Sequence, residues 1–433
     1  LDYRESLRFL DAHINHEATA GLIHGLSLDH MHQLMAVLGE PQRAYPSIHL
    51  TGTNGKGSTA RIIGALLVEH GLTVGGYTSP HLERVNERFS WNGDPISDDD
   101  FADVITGVAR LTPLSGVEPS YFELLTAAAF VWFAEIAVDV AVVEVGLLGR
   151  YDATNVVDAD VAVVTNIGQD HTDGLGDWRQ RIAAEKAGIV KPDCLLVLGE
   201  TDPELQATFL AEGPRAAWRR GEEFDVVEDL PAVGGRVVSI RTPHGELSEL
   251  FLPLHGRHQA DNLACAVAAV EGFFDRGLDP EVAQQALLGV AMPGRFEVAG
   301  RAPLVLLDGA HNPQGAMAAA ETLATEFDVP GRRVLVIGLL RGRDPAAMLE
   351  AFDARRADLL IACTPPSPRA LPAEELAAVA RLVPVLTEVI ADPATAVDRA
   401  LAVSTDDDVV LVAGSLYLVG AARAALRDRA PDA

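Results

Sequence analysis

Thr51-Gly52-Thr53-Asn54-Gly55-Lys56-Gly57-Ser58 carries the strongest chemical signal in the chain. Glycines let backbone N–H groups turn toward one point, a helix starting there adds positive potential, and Lys56 offers a cation for phosphate charge. The spacing departs from G-x-x-x-x-G-K-[ST]: Gly57 separates Lys56 from Ser58, and the first glycine stands closer. A variant phosphate loop is expected, the plain alternative being a Gly-rich strand-to-helix turn with an exposed lysine.

Three further residues have types suited to the same chemistry. Glu144 ends an apolar run and should reach the carboxyl edge of a sheet, where it would serve as a metal-binding acid. His171 follows Asn166 on what should be a loop over the same edge. By itself it reads either as a hydrogen-bonded loop histidine or as a metal ligand, and Mg²⁺ prefers oxygen donors. Lys186 stands near the end of a predicted helix, Trp178 to Ala187, with Gly188 as its cap; alone, it reads as a solvated cation on the helix dipole.

These residues need strands and helices to position them. Helical spacing runs from Tyr3 to Leu38 and stops at Gly39-Glu40-Pro41. A strand at Ser47 to Leu50, a helix from Ser58 to His70, a strand at Val74 to Tyr77 and a helix around Tyr121 to Ala134 follow. Apolar runs at Val138 to Val145 and Val161 to Thr165 come next. This alternation predicts an α/β fold with a largely parallel sheet. Between Glu223 and Leu254 short alternating runs, separated by Gly234-Gly235 and Pro243-His244-Gly245, predict a small antiparallel meander. Helices resume at Gln259 to Phe274 and Pro280 to Gly289.

After Met292-Pro293-Gly294-Arg295 a fresh series of strands is expected at Leu304 to Leu307, Val334 to Ile337, Leu359 to Ala362, Val383 to Thr387 and Val409 to Val412. Two domains are therefore predicted, 1–295 and 296–433. The remaining charged features read plainly. Asp98, Asp99 and Asp100 should open a helix, Asp406 to Asp408 should form a solvated loop, and His13, His16, His24, His30 and His32 should occupy solvated positions.

Composition limits the partners. The chain has 433 residues, 34 Lys and Arg against 62 Asp and Glu, and a formal charge of −28, which opposes nucleic acid and anionic membranes. Hydrophobic residues at 48% and charged residues at 22% are ordinary for a globular core. Cys194, Cys265 and Cys363 are far apart and suggest no disulfide framework, which fits a reducing, cytoplasmic setting. The richest apolar stretch, Ala127 to Val145, is interrupted by Glu135 and Asp139, so no membrane span or secretory leader is expected.

Gly52 to Ser58, Tyr77-Thr78-Ser79-Pro80-His81-Leu82, Glu144-Val145-Gly146 through Arg150-Tyr151-Asp152-Ala153-Thr154-Asn155, and Asn166 to Thr172 follow one another along the chain. Glu185-Lys186-Ala187-Gly188-Ile189, His258-Gln259-Ala260-Asp261-Asn262, Pro293-Gly294-Arg295, Asp308-Gly309-Ala310-His311-Asn312-Pro313 and Gly414-Ser415-Leu416-Tyr417 continue the series. Taken in order, these motifs resemble the folylpolyglutamate synthase and dihydrofolate synthase family of the Mur ligase superfamily. The resemblance implies a Mur-ligase-like ATPase domain followed by a Rossmann-like ligase domain. Gly55, Lys56, Gly57 and Ser58 would hold ATP phosphates, with Asn262, Arg295, Asp308 and His311 supplied around the nucleotide as the second domain closes. Ser79, Glu144 and His171 would bind magnesium, and a carbamylated Lys186 would serve a second Mg²⁺. Carbamylation needs the neutral amine, so a depressed pKa is expected for unmodified Lys186.

The same resemblance places Ser120, Tyr121, Phe122 and Glu123, with Tyr151, Asp152 and Ala153, against a pterin substrate. Unaided, Tyr121 and Phe122 read as core residues. One departure stands out: Leu148 occupies a position where the family commonly has glycine. The implied reaction is ATP-dependent addition of L-glutamate to dihydropteroate or to the glutamate tail of folates through an acyl phosphate. Lys56, Lys186, His171 and Arg295 would carry it, in a bifunctional monomer. The alternatives are a Mur-type ligase acting on a UDP-linked cell-wall precursor and a nucleotide-dependent switch module without ligase chemistry.

Overall fold

The computed structural model describes residues 1–15, 27–169 and 176–429. Strands β1 (Ser47–Thr51), β2 (Val74–Tyr77), β3 (Phe89–Trp91), β4 (Asp94–Pro95), β5 (Val140–Glu144), β6 (Val161–Val164), β7 (Leu195–Leu198) and β8 (Ala216–Arg219) form one sheet. Its order is β4-β3-β2-β5-β1-β6-β7-β8. From β2 to β8 neighbouring strands are parallel, and β3 and β4 add an antiparallel edge. Every residue of β1, β5, β6 and β7 is buried, as a sheet covered by helices on both faces requires.

Helices Lys56–Glu69, His258–Phe274 and Pro280–Leu288 share one core with this sheet, while Asp29–Leu38, Asp98–Leu111 and Tyr121–Glu135 pack in another. Strands β9 (Asp225–Ala232), β10 (Gly235–Thr242) and β11 (Gly245–Leu252) form the expected antiparallel meander, seated on the His258–Phe274 and Pro280–Leu288 helices. A third sheet contains β12 (Glu297–Arg301), β13 (Leu304–Asp308), β14 (Arg333–Ile337), β15 (Leu359–Ala362), β16 (Leu386–Val389) and β17 (Val409–Ala413). Its order is β12-β13-β17-β14-β15-β16, with only β12 antiparallel among the described strands.

Several details differ from expectation. The opening helical stretch is divided into Tyr3–Asp11 and Asp29–Leu38, and Gly39 ends the second in a left-handed cap. The strand expected from Val383 begins at Leu386, because Leu382 and Val383 still close turns onto the preceding helix. Strands β3, β4, β7, β8 and β12 were not anticipated. Asp408 is not a solvated loop residue: it is 3% exposed and accepts N–H bonds from Thr405 at 2.7 Å and Arg332 at 2.6 Å. These bonds hold its carboxyl down at about 2. Ser97, by contrast, caps a helix whose first turn holds Asp98, Asp99 and Asp100, as anticipated.

Among the described residues, the six-stranded unit touches the rest at several places. Leu82 lies against Gly294 and Gly420, and the adjoining Glu83 accepts hydrogen bonds from Arg423 and Arg427. Arg236 and His255 pair with Glu326. Asn54 of the phosphate loop bonds Asn312 and Gln314.

Candidate functional site

β1 delivers the chain to the carboxyl edge at the centre of the sheet, and the loop 52–55 turns from there into the helix Lys56–Glu69. Gly55 caps this helix with φ of +84°, and a Cβ there would stand 2.2 Å from Asn262 Oδ1. Both facts require glycine. The N–H groups of the first helical turn have no partner inside the helix, which makes this turn an anion site. Lys56 folds back, its Nζ donating to the Gly52 carbonyl at 3.0 Å and to Thr53 at 3.4 Å. Thr165 and Asn166, just beyond β6, brace the loop: Thr165 Oγ1 donates to Asn54 O at 2.6 Å, and Asn54 N donates to Asn166 Oδ1 at 3.0 Å.

This loop forms part of a cavity of about 810 Å³. Glu144, the last residue of β5, enters it 4% exposed, its Oε2 accepting from Ser79 N at 3.3 Å and lying close to Gly57. Burial pushes the Glu144 carboxyl up, and the charges of Lys56, Arg295 and Arg88 together with the Ser79 N–H oppose that shift. Asn262 comes from the first turns of His258–Phe274 and is tied to Gln259 at 3.0 Å.

The opposite wall belongs to the six-stranded unit. Arg295 follows Gly294 at the junction, and Asp308 ends β13. Asp308 fixes the junction by accepting from Phe296 N and Ala310 N, both at 2.8 Å. Burial raises its pKa, against Arg295 and His258. Lys56 and Arg295 thus line one cavity from two sides, with Glu144 within the field of both. A third part of the wall is more apolar: Pro80, Phe122, Leu147, Leu148, Tyr151 and Ala153, where the Phe122 ring lies over Gly146.

Residues 109–270 match the Mur ligase middle domain, and residues 294–416 match the Mur ligase glutamate ligase domain. A dihydrofolate synthase/folylpolyglutamate synthase of Mycobacterium tuberculosis is 40% identical, the match covering 92% of this chain and 89% of that one. The chain belongs to the dihydrofolate synthase/folylpolyglutamate synthase family. Among solved structures, M. tuberculosis folylpolyglutamate synthase complexed with ADP has a TM-score of 0.91 at 39% identity, with 100% of both chains covered. A Yersinia pestis bifunctional family member complexed with AMPPNP and Mn ion gives 0.86 at 31% identity, covering 99% of this chain and 98% of that one. An Escherichia coli family member in complex with DHPP and ADP gives 0.87 at 31% identity, covering 100% and 99%.

Most residues singled out by the family resemblance do line the cavity: Gly55, Lys56, Gly57, Ser58, Ser79, Glu144, Asn262, Arg295, Asp308 and His311, with Ser120, Phe122, Glu123, Tyr151, Asp152 and Ala153. Tyr121 and Lys186 do not. Tyr121 is buried beneath it, facing the Arg88 guanidinium at 5.9 Å, as its core reading anticipated. Lys186 is 5% exposed and donates to Gly52 O at 2.9 Å, supporting the phosphate loop from behind, which overturns its reading as a solvated cation. His171 lies outside the described residues, as do His16 and His24.

Several acceptor-side residues have their polar atoms engaged in the fold. Ser120 and Glu123 form the capping box of the Tyr121–Glu135 helix. Asp152 is buried, accepting from Leu147 N at 2.7 Å, Thr154 N at 3.0 Å and Thr154 Oγ1 at 2.5 Å.

The cavity also holds residues to which the sequence reading gives no site role: His30, Arg179, Glu200, Arg220, His258 and Gln314. Glu200 and Arg220 stand just beyond β7 and β8. Reading Leu195 to Leu198 as a strand would have pointed to Glu200 by the same edge rule that found Glu144. His30 is exposed, as expected, and also lines the cavity, its Nδ1 4.0 Å from Glu123.

The donor set suits a hard cation. Among the described residues no group of three or more His, Cys, Asp or Glu side chains could hold a metal alone. Glu144 with nearby serines offers instead the one-carboxylate arrangement in which substrate phosphates complete the shell of Mg²⁺.

Proposed function

We propose that this chain is an ATP-dependent ligase that joins L-glutamate to dihydropteroate and to the glutamate tail of folates. The observation that carries the proposal is the shared cavity, in which Lys56 of the phosphate loop faces Arg295, where the chain crosses into the second lobe, beside an aromatic-lined wall. The lobes correspond to residues 1–295 and 296–433. The names of the relatives favour folate acceptors over a UDP-linked precursor. The DHPP and ADP bound to the E. coli relative are the kinds of ligand the two ends of this cavity suit.

A carboxylate does not yield an amide with an amine at neutral pH, because oxide is a poor leaving group. Transfer of the γ-phosphoryl group from ATP to the acceptor carboxylate gives an acyl phosphate and ADP. The glutamate amine then attacks the acyl carbon, and phosphate leaves from a tetrahedral intermediate. In this reading the first turn from Gly55 to Ser58 orients the phosphates, Lys56 and Arg295 stabilise charge on the group in transfer, and Asn262, Asp308 and His311 place the nucleotide. Phe122, Leu147, Leu148 and Tyr151 cover the acceptor's rings and exclude water.

Glu144, Ser79 and His171 would hold Mg²⁺, which when bound neutralises phosphate charge. Carbamylation of Lys186 belongs to the same proposal: its buried Nζ beside Gly52 would become an oxygen donor close to the loop. Native mass spectrometry detects that group as added carbon dioxide, lost in the Lys186→Ala variant. The three free, buried cysteines fit a reducing, cytoplasmic setting, and a monomer is proposed. Among the described residues no helix is long and apolar enough to cross a membrane.

The test is acceptor-dependent ADP release with glutamate, ATP and Mg²⁺. Release with both dihydropteroate and a monoglutamyl folate supports the bifunctional reading. Silence with both rejects the ligase.

A further inference from the structure

Among the described residues, the side chain that hydrogen-bonds the phosphate loop to the opposite lobe is that of Asn54, immediately before Gly55. Its amide bridges two residues at the start of the helix Pro313–Glu326. Asn54 Oδ1 accepts from Asn312 Nδ2 at 2.9 Å, and Asn54 Nδ2 donates to Gln314 Oε1 at 3.1 Å. Asn312 is fully buried and is itself fixed, its Oδ1 capping the helix by accepting from Gly315 N at 2.9 Å. The backbone of Asn54 is held equally firmly by the first lobe, through Asn166 and Thr165.

Gln314 touches a second loop of that lobe. A Cβ at Gly168 would stand 2.1 Å from Gln314 Oε1, so a side chain there would displace the amide from this position. Gly168 is in turn bonded to the phosphate loop: its N–H donates to Thr53 Oγ1 at 2.9 Å, and its carbonyl accepts from the same hydroxyl at 3.2 Å. One exposed glutamine of the six-stranded unit therefore rests where the phosphate loop and the loop after β6 meet. Neither of the Asn54 bonds to Asn312 and Gln314 can form when the lobes are apart.

We propose that Asn54, through Asn312 and Gln314, is a positioning residue that ties the working shape of the phosphate loop to docking of the second lobe. Arg295 and the phosphate-loop groups then reach their reacting geometry together. Bound nucleotide alone does not complete the site. This rests on the ligase reading above, and it adds that ATP is held in the open state but phosphoryl transfer waits for closure.

The test is a double-mutant cycle of Asn54→Ala and Gln314→Ala, read by acceptor-dependent ADP release at saturating substrates and by calorimetric affinity for ADP. Gln314 is exposed and its side chain makes one hydrogen bond among the described residues, so its truncation should leave the fold intact, which a melting curve verifies. Misplacing reacting groups by about an ångström costs up to roughly 10²-fold in rate, so Gln314→Ala should lower kcat about tenfold. ADP affinity should fall much less than kcat, because the first-turn N–H groups and Lys56 still hold the phosphates. Asn54→Ala should lose more, and the double variant should be no slower than Asn54→Ala, because both changes break one connection.

Unchanged kcat in Gln314→Ala, independent losses that multiply in the double variant, or loss of ADP affinity in parallel with kcat would each overturn the proposal. An inactive wild-type enzyme would instead defeat the ligase reading itself.

Discussion

The phosphate end and the acceptor end of the cavity are built on opposite principles. At the phosphate end, Glu144, Asn262 and Asp308 stand at strand ends or in the first turns of a helix, and the bonds bracing the loop run mainly through its backbone. Charge is buried there at a cost that a ligand can offset. At the acceptor end the polar residues serve the fold first. Ser120 and Glu123 cap a helix, and Asp152 satisfies three donors of its own loop. The rings and alkyl groups of Phe122, Leu147, Leu148 and Tyr151 line that end of the cavity. The same kind of motif match thus marks buried charge at one end and helix caps and loop supports at the other.

Glu144→Gln tests the phosphate end and should have the largest effect, a fall of at least roughly 10²-fold in ADP release. The same change should raise the melting temperature of the ligand-free protein. Burial raises the Glu144 carboxyl above its unfolded value, so its favourable contribution is complete below the unfolded pKa and is lost as pH climbs through the folded one. The melting-temperature gap in favour of Glu144→Gln should therefore widen from mildly acidic pH upward. A variant that melts lower at neutral pH would refute the buried-charge account.

Asp152→Ala probes the acceptor end. It leaves Leu147 N, Thr154 N and Thr154 Oγ1 without their acceptor, and stability should fall by about 3 kcal/mol in urea unfolding. If activity drops while stability holds, Asp152 touches the substrate and the contrast between the ends dissolves.

Leu148→Gly should have the smallest effect and sharpens the same contrast. Leu148 sits in the left-handed region at φ +59°, its carbonyl accepting from Thr51 Oγ1 at 2.6 Å. Glycine there should stabilise the protein by up to about 1 kcal/mol and change the acceptor KM a few-fold, with the ATP KM untouched. An altered ATP KM would show that the two ends are coupled through this loop.

The helix Trp178–Ala187 was legible to the residue, because a run of good helix formers closed by Gly188 is a local signal. So were β15, where a short apolar run is bounded by turn residues, and β2, where Val74 and Tyr77 flank two glycines. β8 escaped notice because Ala216 to Arg219 is only half-buried and lacks an apolar pattern. Glu200 and Arg220 were missed with their strands, while Glu144 was found with its own. Asp408 was misread because three neighbouring acids suggest solvent, whereas its acceptors are filled by Arg332 and Thr405. His30 carried no local signal at all.

The sequence alone determined the alternation of elements, the phosphate loop and the order of motifs that marks the family, since these depend on residue types a few positions apart. Only the tertiary structure decided that Lys56 and Arg295 face one cavity, that Lys186 supports the loop from behind, and that Asn54 bonds to Gln314. Such pairings join residues far apart in the chain, and burial together with the competition for each hydrogen bond sets what every side chain is free to do.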